Sequence, residues 1–576
     1  MDKIEILGIV VIIIGGYLLI TIKLFWDLKK KEKKFLQTSD VEWGKIPSRN
    51  YDIKEFQVIK HYFLNSKKDG FFIDDITWND LDMDRIFEII NLTYSSAGQE
   101  YLYDLLRRPV FDKQILEERH FLIEYFSKQK DVRKSIQLNC AKLGRTKKLS
   151  ITDYLDNLLD FKKKSNFKYY ITNLGIILGF AGLFFRPDMG IMFLVGAMVF
   201  SGYTHYIETS KIEPYIQSFQ YIINLMNASK ALTKDSNLQT VELRKYMDRL
   251  KEAQSHTKKF ERNSFLIMTN NNLTGPGPET IILGYLKILT QADLIKFNSM
   301  INEVKKNIEW IYQLLDTIGL LESMIAVASF RKSLKYYSIP ELSQEELHIN
   351  AVQLYHPLIK EPVANDISVR KGMLITGSNA SGKSTFLKTV ALNQILVQTI
   401  MTSMAERYES NFFKIYSSMS LKDNLENKES YFMVEIKSLK RILDAKKEIP
   451  ILCFVDEVLR GTNTIERIAA SAQILKSLAA DPKILCFAAT HDIELTQLLE
   501  EYFENYHFEE KIVENDILFD YQLLKNKATT RNAIQLLKIM GYDDTIVSDA
   551  EETAELFLKS GKWKLNANGM EAQECS

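Results

Sequence analysis

The sequence has little cysteine and no excess of charge of either sign. Four of its 576 residues are cysteines, and 74 lysine and arginine residues balance 74 aspartate and glutamate residues. Because Cys140, Cys453, Cys486 and Cys575 show no paired spacing, disulfides and zinc ligands are not expected, and the bulk of the chain is expected in a reducing compartment. Cys453 and Cys486 lie in apolar, strand-like runs and are predicted to be small core residues. The balanced charge excludes a global field that would draw the whole molecule toward nucleic acid or lipid.

Helix-breaking residues are also scarce in the middle of the chain. Between Trp78 and residue 168 only three residues are glycine or proline, and apolar residues recur there at helical spacing. Residues 212–252 and 281–334 show the same pattern, and the breaker-rich residues 270–278 separate them. These features predict an all-α lever and core domain in two parts, residues 78–168 and 208–345.

An uncharged apolar run occupies residues 6–22 and is close to the length needed to cross a hydrocarbon core. A secretory signal peptide, the competing interpretation, carries its positive charge before the apolar run and ends in a small-residue cleavage site. Here the lysine cluster follows the run, and no such cleavage site is present. This order predicts an uncleaved transmembrane anchor with a basic flank, residues 1–35, whose N-terminus lies outside. Residues 36–77 are predicted to be a linker.

A second apolar region, residues 169–207, contains two runs separated only by Arg186, Pro187 and Asp188. So short a connection predicts a helical hairpin. Lysines flank both open ends, which predicts that these ends face the cytoplasm, and its many glycines favour lipid and close helix packing. A buried hairpin in a soluble core is the alternative. With the anchor, the sequence predicts three membrane spans in the cell membrane, contact with membrane lipid, and a cytoplasmic C-terminal part.

A strand-like run, residues 373–376, leads into a glycine-rich loop with a lysine near its end. Backbone N–H groups of such a loop wrap nucleotide phosphates, and the following helix adds its positive end. Lys383 is expected to reach the β- and γ-phosphates of ATP, and the Ser384 hydroxyl to ligate Mg²⁺. The predicted nucleotide-binding residues of the loop are Gly377, Ser378, Asn379, Ala380, Ser381, Gly382, Lys383, Ser384 and Thr385.

Two further apolar runs are each followed by residues that can bind a metal or transfer a proton. Residues 451–455 lead to Asp456 and Glu457. In P-loop enzymes the first acid holds the metal, and the next orients or deprotonates the attacking water. Residues 484–489 lead to Thr490 and His491, and this histidine is a candidate sensor of the γ-phosphate. Glu457, His491 and Lys383 are therefore the predicted catalytic residues, and Ser384 and Asp456 the predicted Mg²⁺ ligands.

Four segments, in this order and at these intervals, resemble the ATPase motifs of the MutS family of DNA mismatch-repair proteins. They are residues 376–385, 430–435, 456–464 and 489–491. A weaker resemblance to the helical core of that family extends upstream to Trp78. The resemblance implies a homodimer with composite nucleotide sites, in which Ser430 reaches the partner's nucleotide, Asn379 helps position groups near the phosphates, and residues 456–464 line the contact between subunits.

The ligand of the helical arms stays open. The membrane hairpin lies where the family inserts its DNA clamp, and residues 1–77 are expected to leave no room for a mismatch-reading domain. The sole Phe-x-Glu triplet, residues 508–510, lies after the predicted ATP site and cannot be an N-terminal mismatch wedge. Before Ala364, where the family often has an aromatic residue that stacks on adenine, the sequence has only Pro362 and Val363. DNA is one candidate ligand, and an unidentified membrane protein or lipid is the other.

The predicted fold is thus an α/β P-loop ATPase domain of the type shared by MutS and ABC proteins, residues 346–555, preceded by the all-α domain and three transmembrane helices. A transporter-type ATPase is the nearest rival, but its Ser-Gly-Gly-Gln signature is absent from the sequence. Residues 556–576 are predicted to be a C-terminal tail without an assigned role.

Overall fold

The computed structural model describes residues 3–65, 70–146, 149–161, 165–268, 288–378, 381–419, 431–460, 462–513, 516–527, 533–561 and 563. The chain forms two compact units, which we call the helical unit and the sheet unit. The helical unit comprises Met1–Gly70, Phe87–Arg108 and Glu117–Ser333. The sheet unit comprises Phe71–Ile86, Pro109–Leu116 and Leu334–Ser576.

The part of the chain before residue 334 is helical throughout its described elements, as its apolar spacing predicts. Its helices are α1 Lys3–Glu42, α2 Ile53–Asn65, α3 Asp75–Asp80, α4 Met83–Ile90, α5 Ser96–Arg107, α6 Lys113–Lys128, α7 Lys130–Leu143, α8 Ile151–Asp160, α9 Phe167–Phe185, α10 Pro187–Lys234, α11 Arg244–Met268, α12 Ala292–Lys306 and α13 Ile308–Ser333. A short 3₁₀ helix, Ser236–Leu238, separates α10 from α11.

Polar side chains fix where these helices begin. The Ser95 hydroxyl accepts a hydrogen bond from the Gly98 N–H (3.0 Å) at the start of α5, and Ser150 and Asp153 form a capping box at α8. Helices α5 and α13 pack closely at Gly319, where a Cβ atom would lie 2.6 Å from Tyr101 Cβ. The helical unit therefore has a close-packed centre in which a small residue is required.

Helices α9 and α10 form the predicted hairpin, and both are long and apolar enough to cross a membrane by length and composition. In their most apolar 18-residue windows, only 17% and 11% of the residues are buried. Phe184 and Phe185, at the turn, are 89% and 87% exposed. The two helices approach closely at Gly190, where a Cβ atom would lie 2.5 Å from the backbone nitrogen of Leu183. Helix α10 then continues without interruption to Lys234 and contains Pro214 in its interior.

Among the described residues a third helix, α13, also has the length and composition of a membrane span. However, 78% of its apolar window is buried inside the protein, so its apolar surface is already covered by protein. The third span predicted from the sequence, residues 6–22, lies within α1. Most of its side chains are outside the described part of the structure, and that span stays a prediction.

The structure divides the chain differently from the predicted domains at two places. The predicted linker, residues 36–77, contains the end of α1 and all of α2, whose Ile59, Tyr62 and Phe63 are buried. These three residues recur at helical spacing, so α2 has one buried face. Residues 71–86, assigned from the sequence partly to the linker and partly to the helical core, belong to the sheet unit.

The sheet unit contains a six-stranded sheet and a four-stranded sheet. Their strands are β1 Glu341–Ser343, β2 Ile349–Leu354, β3 Asn365–Val369, β4 Gly372–Thr376, β5 Arg407–Asn411, β6 Lys414–Ser418, β7 Ile451–Asp456, β8 Ile484–Ala489, β9 Phe503–Val513 and β10 Asp516–Lys525. The six-stranded sheet has the order β10-β9-β4-β8-β7-β6, and the smaller one the order β1-β5-β2-β3. All strands of the larger sheet run parallel except β10, which pairs antiparallel with β9.

The large sheet is the core of this unit. Every residue of β4, β7 and β8 is buried, which explains their continuous apolar sequences, since parallel strands are covered on both faces. Cys453 and Cys486 are register partners on β7 and β8, and both are buried free thiols. Their prediction as core residues is confirmed. The remaining helices of the unit are α14 Lys383–Ile400, α15 Tyr431–Leu443, α16 Thr464–Ala479, α17 Leu495–Leu498, α18 Ala533–Ile539 and α19 Asp544–Ser560.

The short helix α3 covers the edge strand β6 of the large sheet. Asp80 accepts hydrogen bonds from the Ser417 hydroxyl (2.7 Å) and the Met419 N–H (3.0 Å). Asp74, which caps α3, pairs with Arg441 of α15 at 2.8 Å. An uncovered edge strand offers unpaired backbone groups to other chains. Residues 74–80 thus complete the sheet unit, although they lie more than 250 residues before most of it.

Candidate functional site

The strand order brings three predicted motifs to one edge of the large sheet. Strand β8 lies between β4 and β7, and all three run in the same direction. Parallel strands end at the same edge, so the residues that follow them are neighbours. The loop after β4, the Asp456–Glu457 pair of β7 and His491 after β8 therefore meet there, as the sequence predicts.

The loop after β4 needs glycine at its two ends. Gly377 has φ +146°, and a Cβ atom there would lie 2.8 Å from the carbonyl oxygen of Phe508. Gly382 has φ +104° and directly precedes α14. Helix α14 thus begins at Lys383 with its first N–H groups facing the loop, the arrangement that binds phosphate. The predicted loop residues Asn379 and Ala380 are outside the described residues.

Lys383 is held against the loop backbone. Its ammonium donates to the carbonyl oxygens of Gly377 (2.8 Å) and Ser378 (2.7 Å). Burial lowers the pKa of Lys383 to about 8, although the charges of Glu457 and Asp456 oppose this shift. A bound phosphate would place a negative charge beside the buried ammonium and stabilise its charged form, so this side chain is suited to an anionic ligand.

Asp456 and Ser384 fit a Mg²⁺ ion. Asp456 is 8% exposed, and its Oδ1 atom is buried with no hydrogen-bond partner among the described residues. Burial raises the pKa of Asp456, and a hydrogen bond with the Ser384 side chain opposes the shift. A cation at this carboxylate would relieve the cost of burying its charge. The described residues contain no cluster of three or more His, Cys, Asp or Glu residues suited to a metal.

Glu457 lies at the centre of the site. It adopts φ +51°, and its N–H donates to the carbonyl of Ala489 at 2.9 Å. One carboxylate oxygen lies 2.5 Å from His491 Nε2, and the other pairs with Arg460. Burial raises the pKa of Glu457, but the hydrogen bond from His491 and the nearby positive charges outweigh burial and leave it below the ordinary value. Glu457 is therefore charged at neutral pH and can accept a proton.

His491 connects Glu457 to the loop. Its Nδ1 atom lies 3.0 Å from the Gly377 carbonyl oxygen and 3.5 Å from Lys383 Nζ. One ring nitrogen thus faces the loop backbone, and the other faces the Glu457 carboxylate. This position fits the predicted role of a residue that senses what occupies the loop.

A cavity of about 450 Å³ opens beside the loop. Its walls include His356, Ile359, Pro362, Val363 and Tyr521, besides the loop and Glu457. Burial lowers the pKa of His356 to about 4, so this ring is neutral at pH 7. The cavity is large enough for a nucleoside, and its apolar and aromatic walls suit a planar base.

The aromatic wall at Tyr521 could not be read from the sequence. Asn365 accepts from the Leu523 N–H (2.7 Å) and donates to the Tyr521 carbonyl (3.0 Å). These bonds fix an irregular stretch of β10 and bring the Tyr521 ring within 3.1 Å of a Cβ atom built at Gly382. The sequence has no aromatic residue directly before Ala364, and the aromatic residue that lines the cavity comes from β10, at the edge of the large sheet.

The site therefore brings together the described members of the predicted set. They are Gly377, Ser378, Ser381, Gly382, Lys383, Ser384, Thr385, Asp456, Glu457 and His491. The Ser378 hydroxyl donates to Glu510 of β9, and the Ser381 hydroxyl is buried without a hydrogen-bond partner in the described structure. Ser430 lies outside the described residues, and its predicted role stays a prediction.

Comparison with known proteins agrees with this geometry. Residues 373–558 match the family model described as MutS domain V. The chain is 31% identical over 300 residues to the human "MutS protein homolog 4", a match that covers 46% of this chain and 31% of that protein. It is 27% identical over 301 residues to "DNA mismatch repair protein MSH3" of Candida albicans, covering 47% and 29% of the two chains. "DNA mismatch repair protein MutS" of Thermotoga sp. is 27% identical over 314 residues, covering 52% and 39%.

The chain thus matches about a third of the length of these curated relatives. The matches support the resemblance to the MutS family, and the family model covers most of the sheet unit, including the loop after β4, Asp456, Glu457 and His491.

Proposed function

We propose that the chain is a membrane-anchored, MutS-like ATPase in which ATP binding and hydrolysis close and open a homodimer. The observation that carries this proposal is the meeting of Lys383, Asp456, Glu457 and His491 at one edge of the large sheet. Lys383, the Asp456–Glu457 pair and His491 come from three separate segments of the chain, yet together they supply the parts that a phosphoryl-transfer site needs. The match of residues 373–558 to MutS domain V supports the same conclusion.

Each side chain has a distinct task in the proposed reaction. Lys383 exchanges its contacts with the Gly377 and Ser378 carbonyls for the phosphate oxygens of ATP. Glu457, which is charged, accepts a proton from the attacking water. His491 orients the Glu457 carboxylate and registers the γ-phosphate through the loop. When bound at Asp456 and Ser384, Mg²⁺ supplies positive charge that neutralises the phosphate oxygens.

The dimer and its composite sites follow from the resemblance to the MutS family. Ser430 would complete the partner's site, and residues 456–464 would form part of the contact between subunits. Arg460 is 47% exposed while it pairs with Glu457, so a subunit that binds at this surface would alter the surroundings of the catalytic carboxylate. ATP would favour the closed dimer, and hydrolysis would favour the open one.

The membrane location is supported by the α9–α10 hairpin. Helix α9 and the first part of α10, up to Tyr206, expose many large apolar residues, and large exposed apolar surfaces in a soluble protein are rare. We place the hairpin in the cell membrane and the sheet unit in the cytoplasm. Alkaline carbonate extraction of native membranes should leave the chain in the pellet, whereas release into the supernatant would contradict the anchor.

The ATPase is tested with purified, detergent-solubilised protein. Wild type should hydrolyse ATP in a Mg²⁺-dependent reaction, Lys383→Ala should lose nucleotide binding, and Glu457→Gln should bind ATP without turnover and accumulate as a closed dimer in cross-linking. Normal turnover by Glu457→Gln would show that another residue activates the water. Absence of binding to the wild-type protein would contradict the ATPase itself.

Two ligands of the helical unit remain to be separated. The relatives named as DNA mismatch repair proteins favour DNA, and we keep DNA related to mismatch repair as the first candidate. The exposed membrane hairpin favours the second candidate, a membrane-protein or lipid partner without DNA. Salt titrations of duplex and branched DNA binding distinguish them, because phosphate contacts weaken steeply with salt. No binding at low salt would exclude DNA.

A further inference from the structure

Glu435 is a buried carboxylate on α15 that the reaction described above does not use. It is 4% exposed. One of its oxygens accepts a hydrogen bond from the Leu459 N–H, and its other oxygen is buried with no hydrogen-bond partner in the described structure. Burying a carboxylate in such surroundings lowers the stability of the folded protein. Stability therefore does not explain why a glutamate occupies this position.

The backbone turn that Glu435 holds is the one that carries Glu457. Within this turn both Glu457 (φ +51°) and Leu459 (φ +59°) have left-handed backbone conformations. Residues other than glycine adopt this conformation only at a cost in free energy. Two such residues in one short turn persist only when the surrounding structure fixes them.

Three elements fix three successive residues of the turn. The Glu457 N–H donates to the carbonyl of Ala489 on β8, and the Val458 carbonyl accepts from Ser471 of α16 at 3.2 Å. The Leu459 N–H donates to Glu435 of α15. The contact at Glu435 is the one made by a carboxylate, and hydrogen bonds to charged groups are the stronger kind.

We propose that Glu435 is a positioning residue, which holds the turn at residues 457–459 so that the Glu457 carboxylate stays aimed at the attacking water. This inference rests on the proposed ATPase function. Helix α15 begins at Tyr431, directly after Ser430, the residue predicted to reach the partner's nucleotide. Glu435 therefore also links the orientation of Glu457 to this helix. Burial raises the pKa of Glu435, and the hydrogen bond from the Leu459 N–H opposes this shift. The contact with Leu459 thus favours the charged form of the carboxylate.

The test compares substitutions at Glu435 in the full-length protein in detergent. Glu435→Ala removes the acceptor, and Glu435→Asp keeps the charge but shortens the side chain by one methylene group, which withdraws it from Leu459. Both should lower the single-turnover rate of ATP hydrolysis by about tenfold to a hundredfold, while the dissociation constant for a fluorescent ATP analogue changes less than about threefold. Glu435→Gln keeps an oxygen acceptor and should restore most of the rate. The Asp variant preserves most of the volume and remains informative if the Ala variant fails to fold.

Ser438 supplies a matched control. It lies on the same helix, is 1% exposed, and has a hydroxyl without a hydrogen-bond partner in the described structure. Ser438→Ala should leave both rate and affinity unchanged.

The outcomes separate this inference from the proposed function. If wild type hydrolyses ATP and Glu457→Gln does not, but Glu435→Asp retains the wild-type rate, Glu435 has no positioning role. A parallel loss of rate and nucleotide affinity, equal in the Gln and Asp variants, would also overturn it, since it would reflect general damage. If wild type binds no nucleotide, the ATPase proposal itself fails.

Discussion

The imidazole Nε2 atom of His491 lies 2.5 Å from the carboxylate Oε1 atom of Glu457, and the other ring nitrogen lies 3.0 Å from the Gly377 carbonyl of the loop. One ring therefore contacts both the predicted base and the predicted phosphate-binding loop. If the loop moves when nucleotide binds, the His491 side chain would transmit that movement to the Glu457 carboxylate.

His491→Asn should lower kcat by about tenfold to a hundredfold, since a hydrogen bond to a charged group contributes about 1.5–3 kcal/mol. The pH dependence should change as well. The bond from His491 helps to lower the pKa of Glu457, so its loss raises that pKa. A base works only when deprotonated, and the acid limb of the rate profile should move to higher pH. His348, which contacts the Glu346 carbonyl, supplies the control His348→Asn. An unmoved acid limb in the His491 variant would count against the link.

Nucleotide affinity should fall as the pH rises above about 8. The pKa of Lys383 in the free protein is about 8, so the side chain is charged at pH 7 and mostly neutral at pH 9. Bound phosphate stabilises the charged form, and binding above pH 8 must therefore take up a proton. The dissociation constant should rise by up to about tenfold per pH unit, as measured with a fluorescent ATP analogue at pH 7, 8 and 9. Lys383→Arg stays charged and should give a flat profile. A flat profile for wild type would refute the assignment.

Tyr521→Ala should weaken ATP binding by about five- to 150-fold, because stacking of a base on an aromatic side chain contributes about 1–3 kcal/mol. The substitution should weaken binding only of ligands that contain the base. Inorganic tripolyphosphate should compete equally well for both proteins, and Tyr521→Phe should bind ATP as wild type does. Equal loss of tripolyphosphate and ATP affinity would mean that the ring supports the loop at Gly382 and does not stack on the base.

Gly319→Ala should destabilise the helical unit by about 1–3 kcal/mol, the usual cost of overpacking. A Cβ atom there would lie 2.6 Å from Tyr101 Cβ and 2.8 Å from the Ala97 carbonyl oxygen, and both belong to α5. The control is Gly202→Ala on α10, where a Cβ atom would meet nothing within 4 Å. Unfolding of both variants in detergent, followed by circular dichroism, should show a lower midpoint for the first only.

The edge of the large sheet that carries the candidate site was predictable because its strands are short, fully apolar runs that end directly in the predicted site residues. Strands β4, β7 and β8 were all visible in this way, and the helical character of the chain before residue 334 followed from its apolar spacing. These signals are local, since each depends on residues within a few positions of one another.

The parts that could not be predicted depend on contacts between distant residues. The docking of α3 on β6 joins Asp80 to Ser417, and nothing in the periodicity of residues 71–86 distinguishes a helix of the sheet unit from one of the helical unit. Similarly, Tyr521 reaches the cavity through an irregularity in β10 that Asn365 fixes from another strand. The left-handed conformations at Glu457 and Leu459 have no sequence signal either, because neither residue is glycine.

Helix α10 runs for 48 residues from the hairpin turn to Lys234, a length of about 72 Å at 1.5 Å per residue. Proline lacks an N–H group, so Pro214 cannot donate the helical hydrogen bond to the carbonyl oxygen four residues earlier. That position follows the apolar half of the helix and precedes a second half, residues 215–234, of about 30 Å. In the membrane arrangement that we propose, bending at Pro214 would let residues 215–234 move while the apolar half of the helix keeps its tilt in the bilayer. Replacing the proline would stiffen the helix there and couple any movement of residues 215–234 to the apolar half.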